Sequence, residues 1–165
     1  MKDLKSLDQS KMKGTIIDFL SKLVLFCTLK AEELNVVSEH MHFLEIEKGE
    51  ILFKEGDKGE YICFVLNGII DIVKESSSGD GVVIASLLKG RSIGEMSVID
   101  YSPRSATAKA QTNTSLLILE KRGFDKILYH HPEIGITILK GITKLLSLNL
   151  RKTSSRLAEY LLPIS

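Results

Sequence analysis

Tryptophan is absent from this chain, cysteine occurs twice and proline three times in 165 residues. Cys27 and Cys63 are too few for the disulfide framework of a small secreted domain, and they read instead as two soft hydrophobes in a reducing compartment. An excess of one charge is missing too: 22 Lys and Arg stand against 21 Asp and Glu, a formal net charge of +1. No global field therefore draws in nucleic acid or acidic lipid, and any anion site has to be built locally. No apolar run approaches the ~18 residues that a membrane span requires. The opening MKDLKSLDQSKMKG is polar and lacks an apolar h-region, so it does not read as a secretory signal. These absences leave a cytoplasmic globular protein, and the length suits one domain with a sizeable core.

What is present changes period twice along the chain. Residues 1–14 are polar and are expected to form a flexible arm. Ile16, Phe19, Leu20 and Leu23 keep helical spacing and predict a helix over 15–26. A second helix is predicted over 31–41, with Glu32 and Glu33 in the first turn where the helix dipole favours acids. Lys30 stands where Ser or Asp would cap better. From residue 43 the pattern becomes short apolar runs cut by glycine, FLEIEKGEILFKEGDKGEYICFVLNGIIDIVKE. Strands are predicted near 43–47, 50–53, 61–66, 69–74, 82–88, 105–110 and 115–120, with a polar tip at 75–81. Asn67-Gly68 between two apolar runs reads as a hairpin turn. Such short, regularly spaced strands indicate a mainly antiparallel β-sandwich or barrel. A short helix is expected at 122–130, a break at Pro132 and one long helix over 133–162. The first half of that helix is apolar nearly all round, from Ile134 to Leu150, so it wants two partners: the barrel, and the same helix of a second subunit. The expected plan is a single domain with N-terminal helices at 15–41, a β-roll at 42–121 and C-terminal helices at 122–165.

One stretch inside the β-region carries chemistry: SIGEMSVIDYSPRSATAKA, residues 92–110. Gly94 permits a sharp turn and a close approach of ligand to backbone. Met96 to Tyr101 is about one helical turn, stopped by Pro103. The free N–H groups at a helix start suit an anion, and small Ser97 lets a phosphate come near. Arg104 offers a two-pronged fork to phosphate oxygens, and an ionised Glu95 accepts from a sugar hydroxyl. Together these residues suit a phosphate and a ribose held at fixed separation. The plain structural alternative is that Glu95 and Arg104 pair with each other.

Other candidates carry less. His40-Met41-His42 with Glu45 and Glu47 has a metal-like alternation, but no flanking glycine and no later histidine motif completes it, so no metal is expected. Gly79-Asp80-Gly81 and Lys89-Gly90-Arg91-Ser92 lack the order and spacing of a phosphate loop. His130-His131 falls at a helix end, where cations suit the dipole. No nucleophile, base and orienting group stand together, so the chain does not read as an enzyme.

GEMSVIDYSPRSATAKA resembles the phosphate-binding cassette of cyclic-nucleotide-binding domains, here spanning 93–107. KGEILFKEGDKGEYICFVLNG is similar to that family's glycine-punctuated strand region, and LFCTLKAEEL to its N-terminal lead-in. The resemblance covers roughly 24–152 and implies an eight-stranded antiparallel β-roll with flanking helices, the last one a lid or dimer contact. It implies that Glu95 binds the ribose 2′-hydroxyl and Arg104 the cyclic phosphate. Backbone N–H groups at Met96, Ser97, Ser105 and Ala106, with the Ser105 hydroxyl, would complete the cradle beside Gly94. Ile93 stands in place of the family's usual aromatic, and Ser97 in place of Ala or Gly. A gapless match onward from Arg104 puts Asn149 at the lid position that touches the base, with Thr153 or Ser154 as the alternatives in another helix register. The implied ligand is cAMP, with cGMP as the alternative, and the implied role is a regulatory sensor acting through a homodimer or a protein partner. A rival of the same fold is an interaction scaffold that has lost its ligand. About a dozen residues follow Lys152, too few to read DNA directly. The tail LNLRKTSSRLAEYLL is similar to those of bacterial single-domain members, which implies a stand-alone sensor.

Overall fold

A computed structural model of the chain describes residues 9–75 and 81–161. The chain begins with helices α1 (Gln9–Ser21) and α2 (Ala31–Ser38). Strands β1 (Met41–Ile46), β2 (Ile51–Phe53), β3 (Tyr61–Asn67), β4 (Ile70–Glu75), β5 (Gly81–Leu87) and β6 (Ser92–Ile93) follow. A short helix α3 (Glu95–Asp100), strands β7 (Thr107–Ala110) and β8 (Thr114–Glu120), and helices α4 (Lys121–His130) and α5 (Pro132–Leu161) complete it. The eight strands form two antiparallel four-stranded sheets, ordered β1-β8-β3-β6 and β2-β7-β4-β5.

Two central strands have no polar face, and their sequences show why they read as unbroken apolar runs. In β3, Ile62 and Phe64 point to the helices, while Cys63 and Val65 point between the sheets. In β8, Leu117 and Leu119 join the helical side, and Leu116 and Ile118 the inter-sheet side. The helical layer closes on β3 with Phe26 against Phe64, ring centroids 5.3 Å apart, and with Ile138 and Ile142 of α5. The inter-sheet core is filled by Phe53, Ile70, Ile93, Ala108 and Ala110.

Several expectations are corrected. The flexible arm expected over 1–14 does not include residues 9–14, which belong to α1; its remainder, residues 1–8, lies outside the described residues. The first helix stops at Ser21 rather than 26. Beyond it the chain makes tight turns, with Leu23 N–H on Leu20 O (3.0 Å), Phe26 on Leu23 (3.0 Å) and Leu29 on Phe26 (2.9 Å). Leu23, Leu25, Phe26 and Leu29 are all buried, so these turns pack their side chains into the helical layer of the core. Lys30 supplies no side-chain cap; the Glu33 carboxylate instead accepts from the Lys30 N–H at 2.7 Å. β6 has only two residues, too short to show as a period in the sequence. Most of the expected tip, 76–80, lies outside the described residues.

The largest correction concerns Asn67-Gly68, which turns the chain from one sheet to the other rather than closing a hairpin. β3 is already paired by β8 and β6, so its successor has no free edge to join. Ile69 instead bonds to the β7–β8 connection: its N–H donates to Thr112 Oγ1 at 3.0 Å and its carbonyl accepts from Gln111 N at 2.9 Å. Gly68 has φ of 91°, and a β-carbon there would lie 2.6 Å from the Asn113 carbonyl oxygen. Only β4 and β5 are a true sequential hairpin among the described strands.

Pro132 opens α5 instead of merely interrupting the chain, as suits a residue whose missing N–H would be unsatisfied at a helix start. At 30 residues α5 runs about 45 Å. Ile134, Ile138 and Ile142 bury one stripe of its first half, whereas Ile136, Leu148 and Leu150 are exposed. From Ser147 onward every described residue of the helix is exposed.

Candidate functional site

The site begins where β6 ends. Ile93 is paired with Cys63 of β3, which anchors the chain just before it turns. Gly94 then adopts φ of 86°, and a β-carbon there would sit 2.1 Å from Arg104 Nη1. The glycine is thus demanded both by the backbone conformation and by the guanidinium that lies against it. α3 starts at once with Glu95 and ends on Tyr101, a non-glycine residue at φ of 60° whose exposed ring lies 4.4 Å beneath Lys121 Nζ.

Arg104 is gripped through both main chain and side chain. Its N–H donates to Asp57 O and its carbonyl accepts from Gly56 N, each at 2.8 Å. Nη1 donates to Gly94 O and Nη2 to Tyr61 O, again each at 2.8 Å. The guanidinium plane lies 4.2 Å from the centre of the Phe53 ring and 4.8 Å from that of Tyr61. Tyr61 is itself held by its hydroxyl, which donates to Leu52 O at 3.0 Å.

Arg104 is 2% exposed and Glu95 7% exposed, and neither takes part in an ion pair among the described residues. The simple pairing of Glu95 with Arg104 is therefore not what the fold builds. Arg104 Nε and Glu95 Oε2 are buried without hydrogen-bond partners. Burial pushes the Glu95 carboxyl above its ordinary value, outweighing its own backbone N–H and the nearby Arg104, which pull it down. Burial likewise pushes the Cys63 thiol up to about 12, which leaves it unreactive.

Both side chains face one cavity of about 210 Å³. Ile93, Gly94, Glu95, Met96, Ser97, Arg104, Ser105, Ala106 and Asn149, the nine positions singled out in the sequence, all line it. Asn149 comes from α5 with Leu145 one turn before it; Thr153 and Ser154 do not reach the wall. Met96, Ser105 and Asn149 are exposed at the mouth, and Ser97 is buried with its β-carbon packed on Gly59. The wall also holds apolar residues that the sequence did not announce: Leu23, Val24 and Leu25 from the turns after α1, and Ile72 and Leu87 from the β4–β5 hairpin. Phe53 and Tyr61 were missed as well. They stand far from Arg104 in sequence, and the one available signal was the scarcity of aromatics, 6% of the chain, with two of them flanking EGDKGE. Opposite buried charges at fixed positions, an apolar wall and a helix across the mouth can hold a compact molecule with an anionic end, a hydroxylated middle and a flat apolar end.

Among the described residues no group of three His, Cys, Asp or Glu side chains is placed to hold a metal, and no helix is long and apolar enough to cross a membrane. His42, on β1, lies 4.0 Å from Glu120 with both side chains half exposed.

Comparison with known proteins agrees with this geometry. The family model described as the cyclic nucleotide-binding domain matches residues 43–131. The chain is 35% identical over 102 residues to a lysophospholipase of Neurospora crassa, covering 62% of this chain and 7% of that protein. It is 34% identical over 109 residues to the cAMP-dependent protein kinase regulatory subunit of Dictyostelium discoideum, covering 66% of this chain and 33% of that protein. The chain thus spans a small part of the first and a third of the second. A solved cyclic nucleotide-binding domain from Methylobacillus flagellatus KT superposes with a TM-score of 0.82 at 28% identity, over 92% of this chain and 85% of that one.

Proposed function

The chain belongs to the cyclic nucleotide-binding domain family, and from that premise we propose that it is a cAMP-binding regulatory module. The observation that carries this reading is the buried Arg104 guanidinium, which faces the cavity with no acidic ion-pair partner among the described residues. A cation out of water is costly unless an anion meets it, and a cyclic phosphate supplies that anion. Arg104 Nε and the unshared Nη protons bind the phosphate, with backbone N–H groups at Met96, Ser97, Ser105 and Ala106 around it. Glu95 accepts from the ribose 2′-hydroxyl, and the base lies against Ile72, Leu87, Leu145 and Asn149. The similarity to a cAMP-dependent kinase subunit supports cAMP as the ligand over cGMP.

The output is mechanical, not enzymatic. The ligand touches α5 through Leu145 and Asn149, so it biases the position of that helix by its difference in affinity for the two placements. The exposed apolar side chains along the outer half of α5, Leu148, Leu150, Leu157 and Leu161, suit a second copy of the helix or a partner protein. The module works in the cytoplasm, without a metal.

The deciding experiment is calorimetric titration with cAMP and cGMP, beside the melting temperature in the same ligands. A saturating ligand at 100 times its Kd should stabilise the fold by about 2.7 kcal/mol. No heat and no change in melting with either nucleotide would overturn the reading and leave an interaction domain without a ligand.

A further inference from the structure

Lys74 of β4 is not part of the cavity wall, yet it reaches the cassette from behind. Its ammonium donates to the carbonyl oxygen of Ser105 at 2.8 Å and makes a close ion pair with Glu55 Oε1. Glu55 is held in turn, because its N–H donates to Thr107 Oγ1 at 2.9 Å. The ammonium keeps the Glu55 carboxyl below its ordinary value, chiefly through that hydrogen bond. The last rung of the β4–β7 ladder is Val73 with Thr107. At Ser105, just beyond the ladder, a side chain takes over the role of a neighbouring strand.

The Ser105 oxygen and the Ala106 N–H are two ends of one peptide group. A cation on the oxygen draws electron density along the amide and makes its N–H a stronger donor. It also fixes the rotation of the peptide plane, which an otherwise irregular segment leaves free. Ala106 lines the cavity and is buried. An ordinary exposed Lys–Glu pair contributes little, and these side chains are 47% and 31% exposed. What sets this pair apart is its third partner, a carbonyl inside the cassette.

Resting on the nucleotide reading above, we propose that Lys74 is a positioning residue that orients and polarises the Ser105–Ala106 peptide toward the ligand phosphate, with Glu55 holding Lys74 in place. Lys74→Met keeps the stem and removes the charge. It should raise the Kd for cAMP by about tenfold, the effect of weakening one hydrogen bond to a charged group. Lys74→Arg should stay within about twofold of wild type, and Glu55→Gln should fall between them. A second readout needs no ligand: the Ala106 amide proton resonance of the free, isotope-labelled protein should move upfield in Lys74→Met and stay in place in Lys74→Arg. Wild-type affinity in Lys74→Met, or an unmoved Ala106 resonance, overturns the proposal. If the wild-type protein itself bound no cyclic nucleotide, the nucleotide reading would fall instead, and the resonance would still decide whether Lys74 polarises the peptide.

Discussion

Arg104→Met should separate folding from binding, because the arginine contributes to the two in different ways. In the free protein it donates two hydrogen bonds of 2.8 Å to backbone carbonyls and lies against Phe53 and Tyr61. Bonds of that kind contribute about 1.5–3 kcal/mol each, and the ring contacts about 0.5–2 kcal/mol. Against them stands the desolvation of a cation that is 2% exposed and has no acid within ion-pair reach among the described residues, a penalty of several kcal/mol. Methionine fills the slot between the rings with an unbranched apolar chain and carries no charge to desolvate. The opposing terms nearly offset, so the ligand-free variant should unfold within about 2 kcal/mol of wild type. Binding has no such offset. A cyclic phosphate entering the cavity would lose its counter-charge at a cost of about 3–5 kcal/mol. That is a fall in affinity of roughly one hundred- to several thousand-fold, out of the about 8 kcal/mol that a micromolar site has in total. Calorimetric titration with cAMP, beside urea unfolding of the free protein, reads both quantities. An unchanged isotherm would remove Arg104 from the site, and a variant that cannot fold would show that the arginine is there for structure.

The carboxylate gives a pH test. Burial holds Glu95 above its ordinary 4.5, so the free protein takes up a proton there on acidification, and that uptake favours the folded state as pH falls through the raised value. A hydroxyl donated to the ionised carboxylate must expel that proton, so the Kd for cAMP should rise by up to about tenfold per pH unit below the raised value. Glu95→Gln should flatten the profile, and parallel profiles in the two proteins would refute the role. Gly94→Ala combines a left-handed backbone, costing about 1–2 kcal/mol, with a β-carbon 2.1 Å from Arg104 Nη1. It should lower both melting temperature and cAMP affinity, whereas Gly14→Ala, in open space on α1, should lower neither. The exposed leucines of α5 predict self-association: sedimentation of the wild-type protein should show a dimer, and Leu150→Glu with Leu157→Glu a monomer.

The sequence made the strands legible because short apolar runs alternate with glycine-marked turns, and it made the candidate site legible because nine of its wall residues fall in or follow from one contiguous motif. It misled wherever pairing was not local. Asn67-Gly68 has the chemistry of a hairpin, yet the pairing partners of β3 come from residues 92–93 and 115–120. No local signal reports which edge is free. The turns at 22–29 looked helical because Leu23 and Phe26 fit the period, and a buried set of this kind suits a run of i→i−3 turns as well as a helix, so the pattern alone does not separate the two. The aromatic slot around Arg104 was invisible for the same reason. Phe53 and Tyr61 are brought together by β2 pairing with β7 and β3 with β8, contacts that the order of residues does not record.

These non-local contacts also explain why the cavity sits where it does. The connection from β2 to β3 carries Asp57 and Gly56, which clip the Arg104 main chain, and it leads into Tyr61, which takes its side chain. The connection from β6 to β7 carries Glu95 and Arg104 themselves. Both crossings pass from one sheet to the other at the same end of the roll, so a molecule bound between Glu95 and Arg104 touches the two sheets at once. The third wall is Leu25, and Leu25 is also the seat of α5. A β-carbon on Gly141 would lie 2.5 Å from the Leu25 carbonyl oxygen and 2.7 Å from its Cα, so the helix rests directly on that backbone. Close-packed contacts of this kind shift in discrete steps rather than deforming smoothly. In the proposed mechanism a ligand pressing on Leu25 would therefore bear on α5 through that backbone contact, beside the direct contacts that Leu145 and Asn149 of the helix make with the cavity.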